Sequence, residues 1–445
     1  MKIYFVNNIN NVNNNNRNVI KVATNKKNCD INIKNHLDII SVSTKIKTLL
    51  NYNNNLKKKV IFNLEKLDNR FVEAFIYRIL QGNYYFDKYK KAKREGAVLY
   101  FYVPQMSCEN RKNINNIING SYITRNIINE PSNIATPDNF AKHARYMFKD
   151  IRNTKITVFN EKHMKKMGLN LINAVGNSSQ NKPRFLIIDY NPPGRSGPSG
   201  HSGTLVKKKT VCLVGKGVTI DTGGYSMKKP ESMINMYMDK EGAAISIGIL
   251  HTLAKEKYKN RVVCLCPLVE NIVSRGSLKP NDIIKAYNGQ TVEIVNTDAE
   301  GRLILADALT YACNKYKPDY LFDFATLTGW SERINCHSSF TYFTSNEQIA
   351  DNVQAYGNKY CEKNIRIPAW LEYISFIKSN IADVKNSGYE CKNSEGLMAS
   401  LFLMNFIPKK YRKNWSHFDI RMSNYNNNVN IADGFATFYT IIKNI

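Results

Sequence analysis

Two short polar segments constrain the fold of this 445-residue chain more than any other part of its sequence. Residues 210–220 read as a strand that ends in Asp221 and a glycine pair, where the chain must turn sharply. Residues 296–302 follow a short apolar run. In an extended backbone, Asp298 and Glu300 would point their carboxylates to the same side, where they can hold one cation. We therefore expect the rest of the chain to position these two segments.

The acidic residues in and near these segments require charge compensation. Carboxylates gathered in a core-like setting repel one another and take up protons unless cations neutralise them. Two divalent ions, held about 3.5–4 Å apart by bridging carboxylates, would cancel four negative charges. Lys216 can remain an ammonium paired with a carboxylate, or become a neutral amine that binds a metal, and burial beside two cations favours the amine. The four carboxylates are those of Asp221, Asp239, Asp298 and Glu300.

The segment Asn-Thr-Asp-Ala-Glu-Gly-Arg at residues 296–302 resembles the hallmark of the leucine aminopeptidase (cytosol aminopeptidase) family of di-metal exopeptidases. Further blocks similar to those of the family follow in the family's order, at residues 129–133, 269–271, 279–282, 323–329, 382–386 and 415–419. The resemblance implies a metal-dependent aminopeptidase that cleaves the first residue from peptides with a free N-terminus. An apolar first residue would be preferred.

The resemblance also implies a ligand set. Asp221 and Glu300 would bridge two metals, and Asp298 would bind one of them. Lys216 and Asp239 would bind the other. The ions would be Zn²⁺ or Mn²⁺, with Mg²⁺ and Co²⁺ as alternatives. By itself an Asp-x-Glu pair is explained as well by a cap at a helix N-terminus, so the assignment depends on the other three ligands.

Two basic residues resemble catalytic positions of the family. Lys228 would polarise the substrate carbonyl and stabilise the oxyanion, although the neighbouring Lys229 leaves the register open and a solvated loop charge is the alternative. Arg302, at the start of a predicted helix, would hold a bicarbonate that acts as the general base, with a salt bridge to a ligand as the alternative. The substrate-binding residues would be Met236, Asn296, Thr326, Leu327 and Gly329.

Three positions depart from the family's pattern near the expected site. Trp330 stands where the family usually has a small residue, and it either reshapes the pocket or packs outward. Glu241 replaces a glycine and adds a negative charge near the metals, and Asp433 is unexpected in the C-terminal pocket segment. These departures put the side-chain preference in doubt more than catalysis.

The order of helical and strand-like patterns predicts an α/β protein with two domains. Residues 126–445 would form the larger catalytic domain, with a central mixed sheet flanked by helices. Residues 1–125, rich in Asn and Lys, would form a smaller α/β domain, which the resemblance links to assembly of a homohexamer. Residues 13–16, 53–55 and 191–203 have the composition of loops.

Composition limits the remaining possibilities. The net charge of +27 allows a nucleic-acid partner, but the basic runs are dispersed along the chain and do not form one patch. A DNA-binding scaffold on the aminopeptidase fold is therefore kept only as an alternative function. An inactive scaffold is the other alternative. The nine cysteines are scattered, which favours reduced core thiols. No apolar stretch approaches the roughly 20 residues of a membrane span, and we expect a cytoplasmic enzyme.

Overall fold

The structure, a computed structural model, describes residues 3–6, 19–23, 39, 43, 59–65, 67–93, 98–193, 208–335, 339–368, 370–388, 394–421, 424–425 and 429–445. Contacts divide the chain into two units, residues 1–122 with 354–363 and residues 123–353 with 364–445. The predicted fold class, a smaller and a larger α/β domain, is confirmed. The predicted boundary near residue 125 and the assembly role of the first domain stay predictions. The loops expected at 13–16 and 53–55, and most of the one at 191–203, lie outside the described residues.

The smaller unit contains a parallel sheet and a helix. Its elements are β1 (Ile3–Val6), β2 (Val19–Ala23), β3 (Lys59–Asn63), α1 (Asn69–Gly82) and β4 (Val98–Tyr102). The strands lie in the order β1-β4-β3-β2, and Phe62 stacks on Phe101 with ring centroids 5.1 Å apart. The Asp68 carboxylate accepts the backbone N–H of Arg70 at 2.9 Å, which caps α1. The helix buries Phe75 against Phe62.

The remaining strands and helices alternate along the chain. The strands are β5 (Thr154–Asn160), β6 (Arg184–Tyr190), β7 (Thr210–Gly215), β8 (Gly217–Asp221), β9 (Arg261–Asn271), β10 (Ile283–Lys285), β11 (Thr291–Glu293), β12 (Tyr320–Ala325), β13 (Ser339–Thr344), β14 (Lys363–Arg366), β15 (Val384–Lys385), β16 (Trp415–Asp419), β17 (Asn424–Tyr425) and β18 (Val429–Asn430). The helices are α2 (Cys108–Ile128), α3 (Pro137–Phe148), α4 (Glu161–Met167), α5 (Asn170–Gly176), α6 (Pro230–Met233), α7 (Glu241–Lys255), α8 (Glu300–Tyr316), α9 (Trp330–Asn335), α10 (Glu347–Tyr360), α11 (Glu395–Asn405), α12 (Lys409–Arg412) and α13 (Phe435–Lys443). Two 3₁₀ turns span Met236–Met238 and Leu371–Ile377.

The larger unit is built on a mixed sheet in the order β14-β13-β16-β12-β7-β9-β6-β5, with β8 also paired to β9. The central strands β16, β12, β7 and β9 are parallel, and the outer strands β13, β6 and β5 run antiparallel to their neighbours. The central strands are buried along their length, as expected for strands covered on both faces. Their carboxyl ends therefore meet at one edge, where ligands bind in open α/β sheets.

The expected strand at residues 210–220 is two strands, and the break between them lies at Lys216. The Lys216 N–H donates to Phe324 O at 3.0 Å, and its carbonyl accepts the N–H of Ala243 at 2.8 Å. The chain then leaves β12 and continues along β9 as β8. A Cβ on Gly242 would lie 2.0 Å from Phe324 O, so this crossing needs a glycine.

The described cysteines form no disulfide bond with one another, and most of them are buried, as predicted for core thiols. Cys264 and Cys266 lie on β9 with sulfurs 3.4 Å apart and no disulfide between them. Within the part of the chain that the structure describes, no helix combines the length and hydropathy needed to cross a membrane.

Candidate active site

Three carboxylates from distant parts of the sequence meet at the carboxyl edge of the sheet. One oxygen each from Asp221, Asp298 and Glu300 lies within 4.8 Å of the other two. Asp221 ends β8, and Glu300 begins α8. The proximity of Asp298 and Glu300 was predicted, but the reason was wrong: β11 ends at Glu293, Asp298 lies in a turn, and no extended strand joins the two residues.

Lys216 joins the fourth carboxylate to this group. Its Nζ lies 2.9 Å from Asp239 Oδ2 and 2.9 Å from Glu300 Oε1, and it donates to Thr326 O at 2.8 Å. The hydroxyl of Thr326 in turn donates to Asp239 Oδ1 at 2.6 Å. All four side chains are buried. The five residues expected to bind metal are thus brought together.

Lys228 contacts the other half of the acidic group. Its Nζ lies 2.9 Å from Asp221 Oδ2 and 2.6 Å from Asp298 Oδ1. Lys228 is half-buried, whereas Lys229 is exposed. Of the two lysines that the sequence left open, Lys228 is the one that faces the site.

Local hydrogen bonds hold the two ligand-bearing turns. Asp221 Oδ1 accepts the N–H of Gly223 at 2.9 Å and the side-chain amide of Asn271 at 2.8 Å. Gly223 has φ +86°, and a Cβ there would lie 2.5 Å from Ser226 O and 3.0 Å from Asp298 Oδ1. This position therefore requires glycine for both its backbone conformation and its space.

The second turn is tied to the first and to a segment near residue 386. Asn296 Oδ1 accepts the N–H of Asp298 at 2.8 Å, and the hydroxyl of Thr297 donates to Gly223 O at 2.6 Å. The side chain of Asn386 accepts the N–H of Val295 at 2.8 Å and donates to Asn296 O at 2.7 Å. These contacts explain why the segments around residues 223, 296 and 386 must occur together in one fold.

The electrostatics of the group show how closely its charges are balanced. Burial alone would lower the pKa of Lys216, but Asp239 and Glu300 outweigh it and raise that pKa above its usual value. Burial, followed by the nearby carboxylates, raises the pKa values of Asp239 and Asp298. In the arrangement described, the lysines are ammonium groups that neutralise part of the acidic charge.

The donor set fits divalent cations. Glu300 Oε2 is buried and has no hydrogen-bond partner among the described residues. An unsatisfied buried carboxylate oxygen is costly, and a cation would satisfy it. Carboxylate oxygens with one amine form a hard ligand set of the kind that borderline and hard divalent ions accept.

Arg302 lies beside the acidic group, on the first turn of α8. It is buried, and its Nη1 donates to Asn386 O at 2.9 Å. Its Nε has no hydrogen-bond partner among the described residues. Burial lowers the pKa of Arg302, and Glu300 partly opposes that effect. The side chain can bind a small anion through its remaining donors.

A cavity of about 480 Å³ opens onto these residues. Its lining includes all five residues expected to bind substrate, Met236, Asn296, Thr326, Leu327 and Gly329. It also includes residues that the sequence did not single out, Thr328, Ser387, Gly388, Glu395, Ile420 and Arg421. Most of these directly follow or belong to recognised blocks, and their proximity to the blocks is the signal that could have found them.

Trp330, Glu241 and Asp433, the three departures from the family's pattern, are not among the described residues that line the cavity. Trp330 packs on Gly396 of α11, where a Cβ would lie 2.6 Å from the indole ring. The absence of a side chain at Gly396 therefore makes room for Trp330. Glu241 is buried and accepts the side-chain amide of Asn430 at 2.5 Å, and burial raises its pKa well above the usual range. Its carboxylate is therefore bound to Asn430, and Glu241 is not among the described residues that line the cavity.

Comparisons with known proteins agree with this geometry. A family model described as "Cytosol aminopeptidase family, catalytic domain" matches residues 122–440. A "Probable cytosol aminopeptidase" of Chlorobium limicola is 37% identical over 362 residues, which are 78% of this chain and 69% of the relative. A protein of the same description from Phytoplasma mali is 32% identical over 372 residues, covering 81% of this chain and 72% of the relative.

A solved structure shares the fold. "Bottromycin maturation enzyme BotP in complex with Mn" matches with a TM-score of 0.79 at 24% identity, over 93% of this chain and 88% of that one. The family match over residues 122–440 and the similarity to the two relatives identify the chain as a member of the cytosol aminopeptidase family and as a metal-dependent peptidase that acts on the N-termini of peptides.

Proposed function

We propose that the protein hydrolyses the first peptide bond of its substrates with two divalent cations held by Lys216, Asp221, Asp239, Asp298 and Glu300. The observation that carries this proposal is the meeting of three carboxylates within 4.8 Å, with Lys216 and Asp239 against the third. Asp221 and Glu300 would be shared between the two cations. Such a complete ligand set supports an active enzyme over an inactive scaffold.

The cations, when bound, supply Lewis-acid polarisation of the scissile carbonyl and activation of a water. The chain's own residues do the rest. Asp221 and Asp298, which contact Lys228 here, would neutralise the cations and release the ammonium toward the substrate. Lys228 then stabilises the negative charge that develops on the carbonyl oxygen. Losing one such donor costs on the order of 10²–10³ in rate.

Arg302 would hold the anion that accepts the proton of the attacking water. The anion proposed is bicarbonate, which is small, planar and matched to a guanidinium. The bond from Nη1 to Asn386 O fixes the guanidinium, and the backbone at the start of α8 adds its favourable dipole. The same arginine therefore contributes to positioning and to proton transfer without itself losing a proton.

The first residue of the substrate would lie in the cavity beside the acidic group. Met236, Leu327 and Ile420 give it apolar walls that favour contact with carbon atoms of a side chain. Asn296 and Thr326 would orient the backbone of that residue, and Gly329 leaves room for its side chain. A free α-amine bound in the acidic end would explain cleavage at the N-terminus.

Further parts of the proposal rest on resemblance. Zn²⁺ and Mn²⁺ are the proposed ions, with Mg²⁺ and Co²⁺ as alternatives. A homohexamer assembled through residues 1–125 is proposed from the family's organisation, and a cytoplasmic location from the description of the relatives as cytosol aminopeptidases.

The test combines metal content with turnover. The purified protein should bind about two divalent ions per chain and release a fluorophore from leucyl-, methionyl- or alanyl-amides in a manner that a chelator abolishes. Metal binding without hydrolysis of any amide would identify an inactive scaffold. A DNA shift assay at several salt concentrations tests the nucleic-acid alternative.

A further inference from the structure

Asp419, the last residue of β16, carries a buried carboxylate that the mechanism proposed above does not use. Its Oδ1 accepts the N–H of Leu327 at 2.9 Å and that of Thr328 at 3.2 Å. Its Oδ2 accepts the hydroxyl of Thr328 at 2.6 Å. The register of β16 and β12 sets Asp419 beside Ala325, the residue that ends β12. This carboxylate is thus bound to the loop that leaves β12, residues 326–329.

The same loop forms part of the cavity wall and contacts the acidic group. All four loop residues line the cavity. Thr326 O accepts Lys216 Nζ at 2.8 Å, and the Thr326 hydroxyl donates to Asp239 Oδ1 at 2.6 Å. The loop therefore contacts two of the proposed metal ligands on one side and Asp419 on the other.

One peptide group joins these two sides. Its carbonyl belongs to Thr326 and faces Lys216, and its N–H belongs to Leu327 and faces Asp419. In a trans peptide the C=O and the N–H point in opposite directions, so a rotation of this group breaks both hydrogen bonds at once. Burial raises the pKa of Asp419, and His417 and the hydrogen bonds from the loop oppose that rise. The loop and the ionised carboxylate therefore stabilise each other.

We infer that Asp419 is a positioning residue for peptide hydrolysis. It fixes the loop of residues 326–329, and through that loop it sets the wall of the pocket for the first side chain and the place of the Lys216 amine. The inference rests on the proposed function, because that function puts the first side chain of the substrate against Leu327. Release of the loop would displace the wall and the amine together, and a displacement of about 1 Å can cost about 10²-fold in rate.

The alternative is that Asp419 only stabilises the fold. A variant that is merely less stable contains less folded enzyme, which lowers the measured kcat equally for all substrates and leaves KM unchanged. The ratio of kcat/KM for a leucyl-amide to that for an alanyl-amide is then unaffected. A displaced Leu327 lowers this ratio, because the leucyl side chain reaches farther into the pocket than the alanyl side chain.

The kinetic test uses the manganese-loaded full chain. Asp419→Ala removes all three hydrogen bonds to the loop. It should lower kcat/KM for the alanyl-amide about 10- to 100-fold and the leucyl-to-alanyl ratio about 10-fold. Asp419→Asn keeps an oxygen for the N–H groups of the loop, and the Thr328 hydroxyl can turn to accept from its amide. This conservative variant should restore the ratio to within about threefold of the native value.

Hydrogen exchange reports on the loop without any catalysis. The N–H groups of Leu327 and Thr328 should exchange slowly in the native protein, because both are bonded to a buried acceptor. Asp419→Ala should raise their exchange rate about 10-fold or more, relative to the strand at residues 320–325. Thr328→Val removes only the hydroxyl contact and should change both readouts in the same direction by a smaller factor.

Asp307→Asn is the matched control, because Asp307 is also a buried carboxylate that accepts backbone N–H groups, those of Leu171, Ile172 and Tyr287. It should leave the leucyl-to-alanyl ratio and the exchange of the loop at their native values, whatever its effect on stability. A native ratio in Asp419→Ala, or faster exchange of its loop with native kcat/KM, would overturn the inference. If Asp419→Ala does not fold, the same two readouts in Thr328→Val decide.

Failure of the proposed function has a different signature, since the native enzyme then cleaves no amide. Hydrogen exchange still tests whether Asp419 fixes the loop, and thermal stabilisation of the manganese-loaded protein by free leucine tests the pocket. Stabilisation of the native protein that Asp419→Ala removes supports the inference. Equal stabilisation of both proteins, or stabilisation of neither, rejects it.

Discussion

Replacing Glu300 by Gln separates the metal site from the fold more cleanly than any other single change. Glu300 is buried at the start of α8, one oxygen lies 2.9 Å from Lys216 Nζ, and the other has no hydrogen-bond partner among the described residues. Glutamine keeps the shape and one acceptor for the ammonium. It removes the negative charge and the second carboxylate oxygen that a cation needs.

Two magnitudes follow from these contacts. Without metal, Lys216 keeps Asp239 at 2.9 Å and Thr326 O at 2.8 Å, and the amide oxygen of the variant can still accept from it. Glu300→Gln should therefore cost less than the roughly 1.5–3 kcal/mol of unfolding free energy that a whole hydrogen bond to a charged group contributes. With metal at 100 times its Kd, the native chain gains about 2.7 kcal/mol. If the lost ligand weakens binding about 100-fold, the same metal concentration stabilises the variant by only about 0.4 kcal/mol.

The assay is thermal or denaturant unfolding with and without Mn²⁺, together with hydrolysis of an alanyl-amide. Asp307→Asn is the matched control, because Asp307 is also a buried carboxylate of α8 but accepts the backbone N–H groups of Leu171 and Tyr287, each at 2.8 Å. It should change the stability of both states and preserve the metal-induced gain. A Glu300→Gln protein that keeps the native metal-induced gain would refute the ligand assignment.

Three further changes test other contacts. Gly301→Ala places a Cβ 2.7 Å from Cε and 2.8 Å from Cδ of the buried Lys216 side chain, so unfolding free energy should fall by about 1–3 kcal/mol. The displaced amine should lower kcat/KM by about 10²-fold, measured on the same amide. Lys228→Met should lower kcat by about 10²–10³-fold with bound metal retained, as metal analysis would show. Burial raises the pKa of Asp307 to about 7, above its unfolded value. Protonation of Asp307 therefore favours the folded state, and this contribution of about 4 kcal/mol to the unfolding free energy is fully present below about pH 4 and is lost as pH rises to about 7. The unfolding free energy of Asp307→Asn should not fall in this way across the same pH range.

The sequence predicted which residues would be brought together mainly because its segments resemble those of the aminopeptidase family. The residues alone left the Asp-x-Glu pair equally explained by a helix cap, and the roles of Lys216 and Arg302 came from the resemblance. The pattern of apolar residues predicted the α/β class, since α7 and α8 are apolar runs of helical length between strand-like runs.

The parts that failed or were missed depend on contacts between distant segments. The break at Lys216 exists because its backbone bonds to Phe324 and Ala243, which no local pattern reveals. Asp298 and Glu300 converge through a turn held by Asn386, although the spacing suggested a strand. Arg421 lines the cavity because β16, which it follows, pairs with β12, and the sequence does not reveal this pairing. Tertiary contacts overrode local preference at each of these places.

The two residues after Asp239 are charged and buried, and the second of them, Glu241, is a departure from the family's pattern. Lys240 is fully buried and donates to Ile128 O at 3.0 Å and to Glu130 O at 2.9 Å, carbonyls at the end of α2 that would otherwise be unsatisfied. The carboxylate of Glu241 accepts the side-chain amide of Asn430. The polar ends of both side chains thus bind groups outside the cavity, whereas the carboxylate of Asp239 contacts Lys216 at 2.9 Å.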